Sequence, residues 1–412
     1  MRYLIPAALI LAACSETPVT ETVEIETIES VDIEAVDVAA LHNRTLTLDT
    51  HIDIPLNYMI EIDPAGETDL QVDQPKLEAG RLDSGFWIVY IPQGDLTPEG
   101  YATALEIAET RMTAIERLTA EREDFELAVT ADDVRRIVAD GKFAVLVGME
   151  NAFPLAENPE AVEEWAARGV RYVGITHFGH NQFGDSSNPN LSRDADYVEG
   201  GRHGGLSELG RTFVKELNDH GVMVDVSHTG KQTMMQAADL STTPIIASHS
   251  GVKAVADSRR NLDDEQLRKI AEVGGVAQMV ALGAYVKVPT PEQQAAREAL
   301  DAEFGDRATW DEAKRDAYVA RRQEISAMAA RASVSNFVDH IDHAVKVAGI
   351  DHVGIASDFD GGGGILGWDD ASETQAVTEE LVRRGYSEDD IAKIWGGNLL
   401  RVLEAVEAAA KG

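Results

Sequence analysis

The chain predicts an α/β fold, a (β/α)8 barrel (TIM barrel) with a helical insertion after its seventh strand. Three observations carry this. Eight short β-rich runs alternate with amphipathic helical patterns, the rhythm of a parallel sheet that closes on itself. Six apolar stretches then stop on residues able to hold a metal ion or a proton: His51 with Asp53, Glu150, His177, His228, His249, and Asp358 with Asp360. Barrel strands deliver side chains to a shared C-terminal face in this way. Finally, 412 residues could hold one large barrel or two medium domains, and 44% hydrophobic content suffices for a sizeable core.

Taken in order, Met1-Arg2 gives a positive start, Leu4 to Leu11 an apolar run, and Leu11-Ala12-Ala13-Cys14 the small-residue pattern of a bacterial lipoprotein cleavage site. The apolar run is too short for a permanent membrane span. Cys14 is the chain's only cysteine, and at this position it reads as a lipid-attachment site; the alternative is an ordinary secretory signal with an incidental cysteine. Residues 1–13 are thus expected to be a signal peptide. Residues 14–40, rich in Thr, Glu and Val and free of Lys and Arg, are expected to form a flexible acidic tether. The mature protein would then be lipid-anchored in a bacterial envelope, facing the periplasm, with a catalytic domain over 41–412. Lys plus Arg number 36 against 72 Asp plus Glu, a formal charge of -36. That field repels nucleic acid and anionic headgroups, so no polyanion-binding role is expected.

Strands are predicted at Leu46–Asp49, Gly85–Ile91, Ala144–Met149, Tyr172–Thr176, Met223–Val226, Pro244–Ala247, Val276–Ala281 and His352–Ser357. Helical patterns between them include Thr97–Thr119, Ala161–Ala167, Ser207–Asn218 and Leu262–Val273. Thr290 to Arg331, charged and Ala-rich, reads as the helical insertion over the active-site face. Ile391–Ala410 reads as a last helix that the Gly396-Gly397 pair either precedes or kinks.

In His51-x-Asp53 both side chains point to one side of an extended segment, and imidazole and carboxylate are both good zinc ligands. Glu150 can bridge two cations through its two oxygens. No lysine ends a ligand-supplying strand, so Glu150 is the natural bridging candidate. His228 and His249 end consecutive strands in DVSH and ASHS, each beside a hydroxyl that can orient it. Three histidines and two carboxylates are enough for two divalent metals, which makes a binuclear metallohydrolase the expected class.

DTHIDIP, GMEN, GITHFGHNQFGDSS, GLSELGR, VDVSH, SHSGV followed by SRRNLDD, and VGIASDFDG together resemble, in order, the membrane (renal-type) dipeptidases. These are the peptidase branch of the amidohydrolase superfamily, and the resemblance runs from about Leu41 to Gly397. It implies a barrel with two Zn2+ per chain that hydrolyses dipeptides. It matches His51 and Asp53 to the first zinc, Glu150 to the bridge, and His228 and His249 to the second. His177, Arg260 and Asp358 match substrate and catalytic positions, and a homodimer is implied as well. One departure is DTHID where the family often has Asp-Gly-His-Asn-Asp, which leaves both ligands in place.

In chemical terms, paired zinc ions would lower the pKa of a bridging water and supply hydroxide. Asp358 would take its proton and pass it to the leaving amine; Asp360 is the rival, set before a Gly361–Gly364 run. His177 would stabilise the oxyanion. Arg260 would pair bidentately with the substrate's C-terminal carboxylate, with Arg259 beside it as the confounding neighbour and Tyr285 as a further substrate contact. His180 and His203 are placed to approach the pocket, whereas His42, His220, His340, His343 and His352 read as surface or packing residues. Two rival classes are weighed. Another binuclear amidohydrolase, such as a lactonase or N-acyl amino acid hydrolase, would more usually begin His-x-His and bridge through lysine. A non-catalytic binding lipoprotein would have lost a ligand or Asp358.

Overall fold

The computed structural model describes residues 36–190, 194, 201–305 and 310–411. Cys14, the signal segment and most of the tether lie outside them. A helix over Val38–Arg44, capped by the Asp37 side chain, begins just before the domain start read at Leu41. Among the described residues no helix is long and apolar enough to cross a membrane.

Among the described residues there are nine parallel strands: β1 Leu48–Asp53, β2 Ser84–Tyr90, β3 Phe125–Leu127, β4 Phe143–Glu150, β5 Val170–Gly174, β6 Met223–Asp225, β7 Ile246–Ser250, β8 Val276–Val280 and β9 Val353–Ala356. Eight of them run β1-β2-β4-β5-β6-β7-β8-β9 around a barrel. All eight predicted strands are there. Two are displaced: the first runs through His51 and Asp53 instead of stopping at Asp49, and the sixth runs to Ser250 instead of stopping at Ala247. The extra strand, β3, pairs with Phe143–Val145 of β4, the stretch that β5 leaves free because its pairing starts at Val147. Three residues are too few to carry a periodicity.

The barrel closes between β1 and β9 largely through side chains. Only two backbone bonds join the seam near its mouth, Asp358 N–H to the His51 carbonyl and Asp53 N–H to the Phe359 carbonyl. Below them Asp49 Oδ1 accepts from the N–H groups of His51 and Ser357. Thr50 Oγ1 donates to the Ser248 and Ile355 carbonyls across the interior. Buried polar groups need such partners, which explains Asp and Thr inside a barrel wall.

Period-two alternation splits each strand between two cores. Phe86, Ile88, Ala144, Leu146, Tyr172, Met223, Ile246 and Val276 fill the interior, which the final helix closes from below with Leu399, Val402, Leu403 and Val406. Trp87, Val89, Val145, Val147, Met149, Ala247 and Ile355 face the outer helices. Helix starts follow the sequence signals: Thr97, Ser207 and Asp263 cap helices over Pro98–Glu121, Glu208–Asp219 and Asp264–Glu272, each cap worth about 1 kcal/mol. The insertion is two helices, Pro291–Phe304 and Glu312–Ser326, with a small core of Leu300, Trp310, Tyr318 and Ile325. At the C-terminus the chain stays helical through Gly396-Gly397 in one widened π turn, Lys393–Gly397, so the pair modulates the helix without ending it.

Gly148 lies inside the barrel, and a Cβ there would sit 2.3 Å from the Tyr172 ring. Gly148→Ala is expected to destabilise the protein by about 1–3 kcal/mol, the range of overpacking in a filled core, seen as a lower denaturation midpoint. An unchanged midpoint would mean the barrel centre has room to spare.

Candidate active site

The strand pattern determines which side chains reach the mouth. In β4 the interior set continues from Ala144, Leu146 and Gly148 to Glu150, and in β2 from Phe86 and Ile88 to Tyr90. In β1 and β7 strict alternation would turn the histidines outward. Each strand carries one extra residue at that point: Asp49 pairs with Gly85 but Ile52 with Trp87, and Ala247 with Ala277 but Ser250 with Met279. Such bulges re-aim the side chains beyond them. Here they bring His51, Asp53 and His249 inward while Ile52 packs outward. Asn151, His228 and Asp358, just past their strands, hold φ of 80°, 64° and 60°, left-handed conformations that are costly for a residue such as His and recur at functional sites.

Glu150 is the centre of the arrangement. Its Oε1 lies 3.0 Å from His228 Nε2, 3.2 Å from His249 Nε2 and 3.9 Å from His177 Nε2, and its Oε2 is 3.6 Å from His51 Nε2. His51 Nε2 is also 3.5 Å from Asp53 and 3.8 Å from Asp358. Three sets of ligand atoms converge closely enough to hold a cation: His51–Glu150–His249, Glu150–His177–His228 and His51–Asp53–Asp358. All five metal candidates named from the sequence are thus together, with His177 and Asp358 beside them.

The histidine nitrogens are prepared as ligands. The Tyr172 hydroxyl donates to the Thr50 carbonyl and so accepts from His51 Nδ1, 3.0 Å away. That leaves Nε2 as the nitrogen open to a ligand, buried and without a hydrogen-bond partner; against burial, Glu150 and Asp53 hold the ring well above the ordinary histidine range, so a proton or a cation belongs there. Ser248 Oγ donates to Asp225 and therefore accepts from His249 Nδ1 at 2.8 Å, freeing its Nε2 in the same way. Partners on the far nitrogen fix the tautomer of metal-ligating histidines. His228 and His249 Nε2 approach to 2.9 Å, converging on one point. A buried unpaired imidazole nitrogen is costly, and a cation there satisfies it, so these residues fit a divalent metal.

Protonation agrees. Burial holds His228 and His249 well below the ordinary histidine range, so both are neutral and their short contacts with Glu150 are not ion pairs. Burial also opposes ionisation of Glu150, but the four imidazoles around it together outweigh burial and hold its pKa well below the usual carboxylate range. Burial pushes the Asp358 carboxyl well above its usual range, with Asp53 and Glu150 adding to the rise against His51. Asp358 is therefore a proton-holding group among carboxylates. Asp360 is tied down differently: its Oδ1 accepts from Gln71 N–H and its own N–H donates to the Gln71 side chain.

The centre opens into a cavity of about 510 Å³ lined by Tyr90, Arg111, His177, Phe178, Tyr285 and Asp358 together with ligand candidates. Arg260 does not line it. At 3% exposure it lies behind His249, donating to Ser250 Oγ at 2.7 Å and to the His249 carbonyl at 2.5 Å. Its guanidinium is 5.5 Å from the Tyr285 ring centroid. It faces a smaller adjoining space of about 90 Å³ that shares His228 with the main cavity and includes Arg259. The cation on the main cavity is Arg111, whose Nε donates to the Ile54 carbonyl and whose guanidinium lies 5.4 Å from the Tyr90 ring centroid. His180 and His203 do not line the cavity; they bond the Ser186 N–H and the Asn181 carbonyl. His42, His340, His343 and His352 have structural partners away from the site. Tyr90 was findable by counting along its strand; Arg111, in mid-helix, left no signal.

The Membrane dipeptidase (Peptidase family M19) model matches residues 36–412. The chain belongs to this family. It is 31% identical over 357 residues to Dipeptidase tcpJ of Claviceps purpurea, covering 84% of this chain and 71% of that protein. It is 31% identical over 390 residues to Dipeptidase ataJ of Aspergillus terreus, covering 89% and 86%. The crystal structure of the probable dipeptidase PvdM from Pseudomonas aeruginosa superposes with a TM-score of 0.82 at 36% identity, over 90% of this chain and 98% of that one. The chain is thus a metallo-dipeptidase by family, with His, Asp and Glu groups placed to bind metal.

Tyr172→Phe removes the acceptor on His51 Nδ1 while keeping the ring. Metal affinity should fall about 10–100-fold, the usual effect of losing such a partner, with the far-ultraviolet spectrum unchanged. Unaltered affinity in a metal titration would mean that the hydroxyl does not set the tautomer.

Proposed function

We propose that the chain is a zinc-dependent dipeptidase with two Zn2+ per chain, His51 and Asp53 holding the first, His228 and His249 the second, and Glu150 bridging them. The observation that carries this is the convergence of three imidazole Nε2 atoms on one buried carboxylate, with Asp53 beside the first of them, His51. Zinc bound there would supply Lewis acidity and activate water at neutral pH.

The chain's own residues do the rest. His177, kept neutral by burial, stands at the cavity wall to donate to the scissile carbonyl oxygen as it gains charge. Asp358 takes a proton from the attacking water and hands it to the departing amine; burial and the neighbouring carboxylates, which raise its proton affinity, favour the uptake, and the more basic amine draws the proton off. Arg260, with Tyr285, receives the substrate's terminal carboxylate. Arg111, on the helix over Pro98–Glu121, offers a second cation at the wall of the main cavity. The lipoprotein reading of Cys14, an envelope location facing the periplasm, and a homodimer complete the proposal, supported by the N-terminal sequence and the family resemblance.

The direct test is hydrolysis of L-Xaa-L-Xaa and L-Xaa-D-Xaa dipeptides by zinc-loaded protein, with zinc counted per chain. Turnover of lactones or N-acyl amino acids in preference to dipeptides would favour another binuclear amidohydrolase.

Asp358→Asn keeps the shape but cannot take the proton, so kcat should fall by roughly 10²–10⁴-fold with zinc content unchanged. A larger loss in Asp360→Asn would transfer the role to Asp360.

Arg260→Ala and Arg260→Lys should both lower kcat/KM for dipeptides, alanine more than lysine, because the bidentate geometry is lost. A dipeptide amide, lacking the carboxylate, should be a poor substrate that the substitution affects little. Should Arg111→Ala show that acid-specific loss and Arg260→Ala fall equally on acid and amide, Arg111 is the carboxylate receptor and Arg260 supports the metal ligands.

A further inference from the structure

A second cavity, of about 400 Å³, lies between the insertion helices and the Gly-rich loop after β9, with Leu282 as a wall shared with the active-site cavity. Four cations line it, Lys287, Arg297, Arg322 and Arg331, and no Asp or Glu does. In a chain where acids outnumber bases 72 to 36, such a lining runs against composition. Each cation comes from a different segment: the turn after β8, the two insertion helices and the strap that follows them. Two are already engaged. Arg331 pairs with Asp369, and Lys287 Nζ donates to the Ala330 carbonyl at 3.0 Å. The other two are not. Neither Arg297 nor Arg322 has an ion-pair partner among the described residues, and Arg297 Nε is buried with no hydrogen-bond acceptor. Burial, with Arg322 adding to it, depresses the Arg297 guanidinium, so the pair repels as it stands.

We propose that this cavity is an anion-binding site, distinct from the metal centre, for a small molecule carrying several carboxylate or phosphate groups. Like charges held together without a counterion are unfavourable, and an anion bridging Arg297 and Arg322 turns that repulsion into charge-assisted hydrogen bonds. The volume is in the range of small-molecule sites and exceeds what one tetrahedral oxyanion fills, which favours a multiply charged ligand. Because Leu282 lines both spaces, a bound anion would sit beside the dipeptide cavity.

The test is calorimetric titration of the metal-loaded full chain at low ionic strength with tricarballylate and, separately, fructose 1,6-bisphosphate. Saturable one-to-one binding is expected for at least one of them, the tighter identifying the preferred acidic group. Affinity should drop by at least about tenfold in Arg322→Gln, as removal of a charge-assisted contact implies, and further in Arg297→Gln/Arg322→Gln. Dipeptide turnover should stay at the wild-type level in both variants, which also verifies folding. Absence of saturable binding to the wild type, or equal affinity in the variants, overturns the proposal. Because binding is measured directly, a failure of the dipeptidase reading would not imitate either result.

Discussion

A single buried carboxylate organises the mouth of this barrel. Glu150 stays ionised in an interior that strongly disfavours charge because four histidines, from four other strand ends, stand around it. Isolated burial of such a group costs several kcal/mol or more, so its partners must be held accurately. Much of the surrounding architecture serves that requirement: the two bulges that turn His51 and His249 inward, the left-handed residues beyond the strands, and the hydroxyls of Tyr172 and Ser248 that direct each imidazole.

The same constraint links the fold to the chemistry. The seam between β1 and β9 has few backbone bonds, and Asp49 and Thr50 substitute for them. Those residues flank His51, so closing the barrel and aiming the first ligand are one act. On the other side of the mouth, burial splits the titratable groups by role. His228, His249 and His177 are held neutral, Glu150 charged, and Asp358 inclined to keep a proton. Sets of neighbouring groups pushed in opposite directions are what hydrolytic sites need.

The insertion adds a different element. Its two helices carry their own small core and, with the turn after β8 and the loop after β9, enclose a basic space in an otherwise acidic molecule. The barrel supplies a rigid rim on which such excursions can vary without disturbing the ligands below.

The eight barrel strands, the principal helix starts and the five metal candidates were legible in the sequence. Strand ends, caps and ligand types are local features, and the C-terminal end of a barrel strand lies at the mouth whichever way its side chains alternate. The bulges in β1 and β7 were not legible, because an extra residue shows only against the register of a neighbouring strand. The widened turn at Gly396-Gly397 depended on packing, where a Cβ on Gly396 would come within 3.1 Å of Leu46. The placement of Arg260 behind His249, and of Arg111 on the cavity, is likewise tertiary. Both are arginines in polar sequence surroundings, and only the closing of the outer helices onto the barrel decides which guanidinium lines the main cavity and which lies behind a ligand on the smaller space beside it.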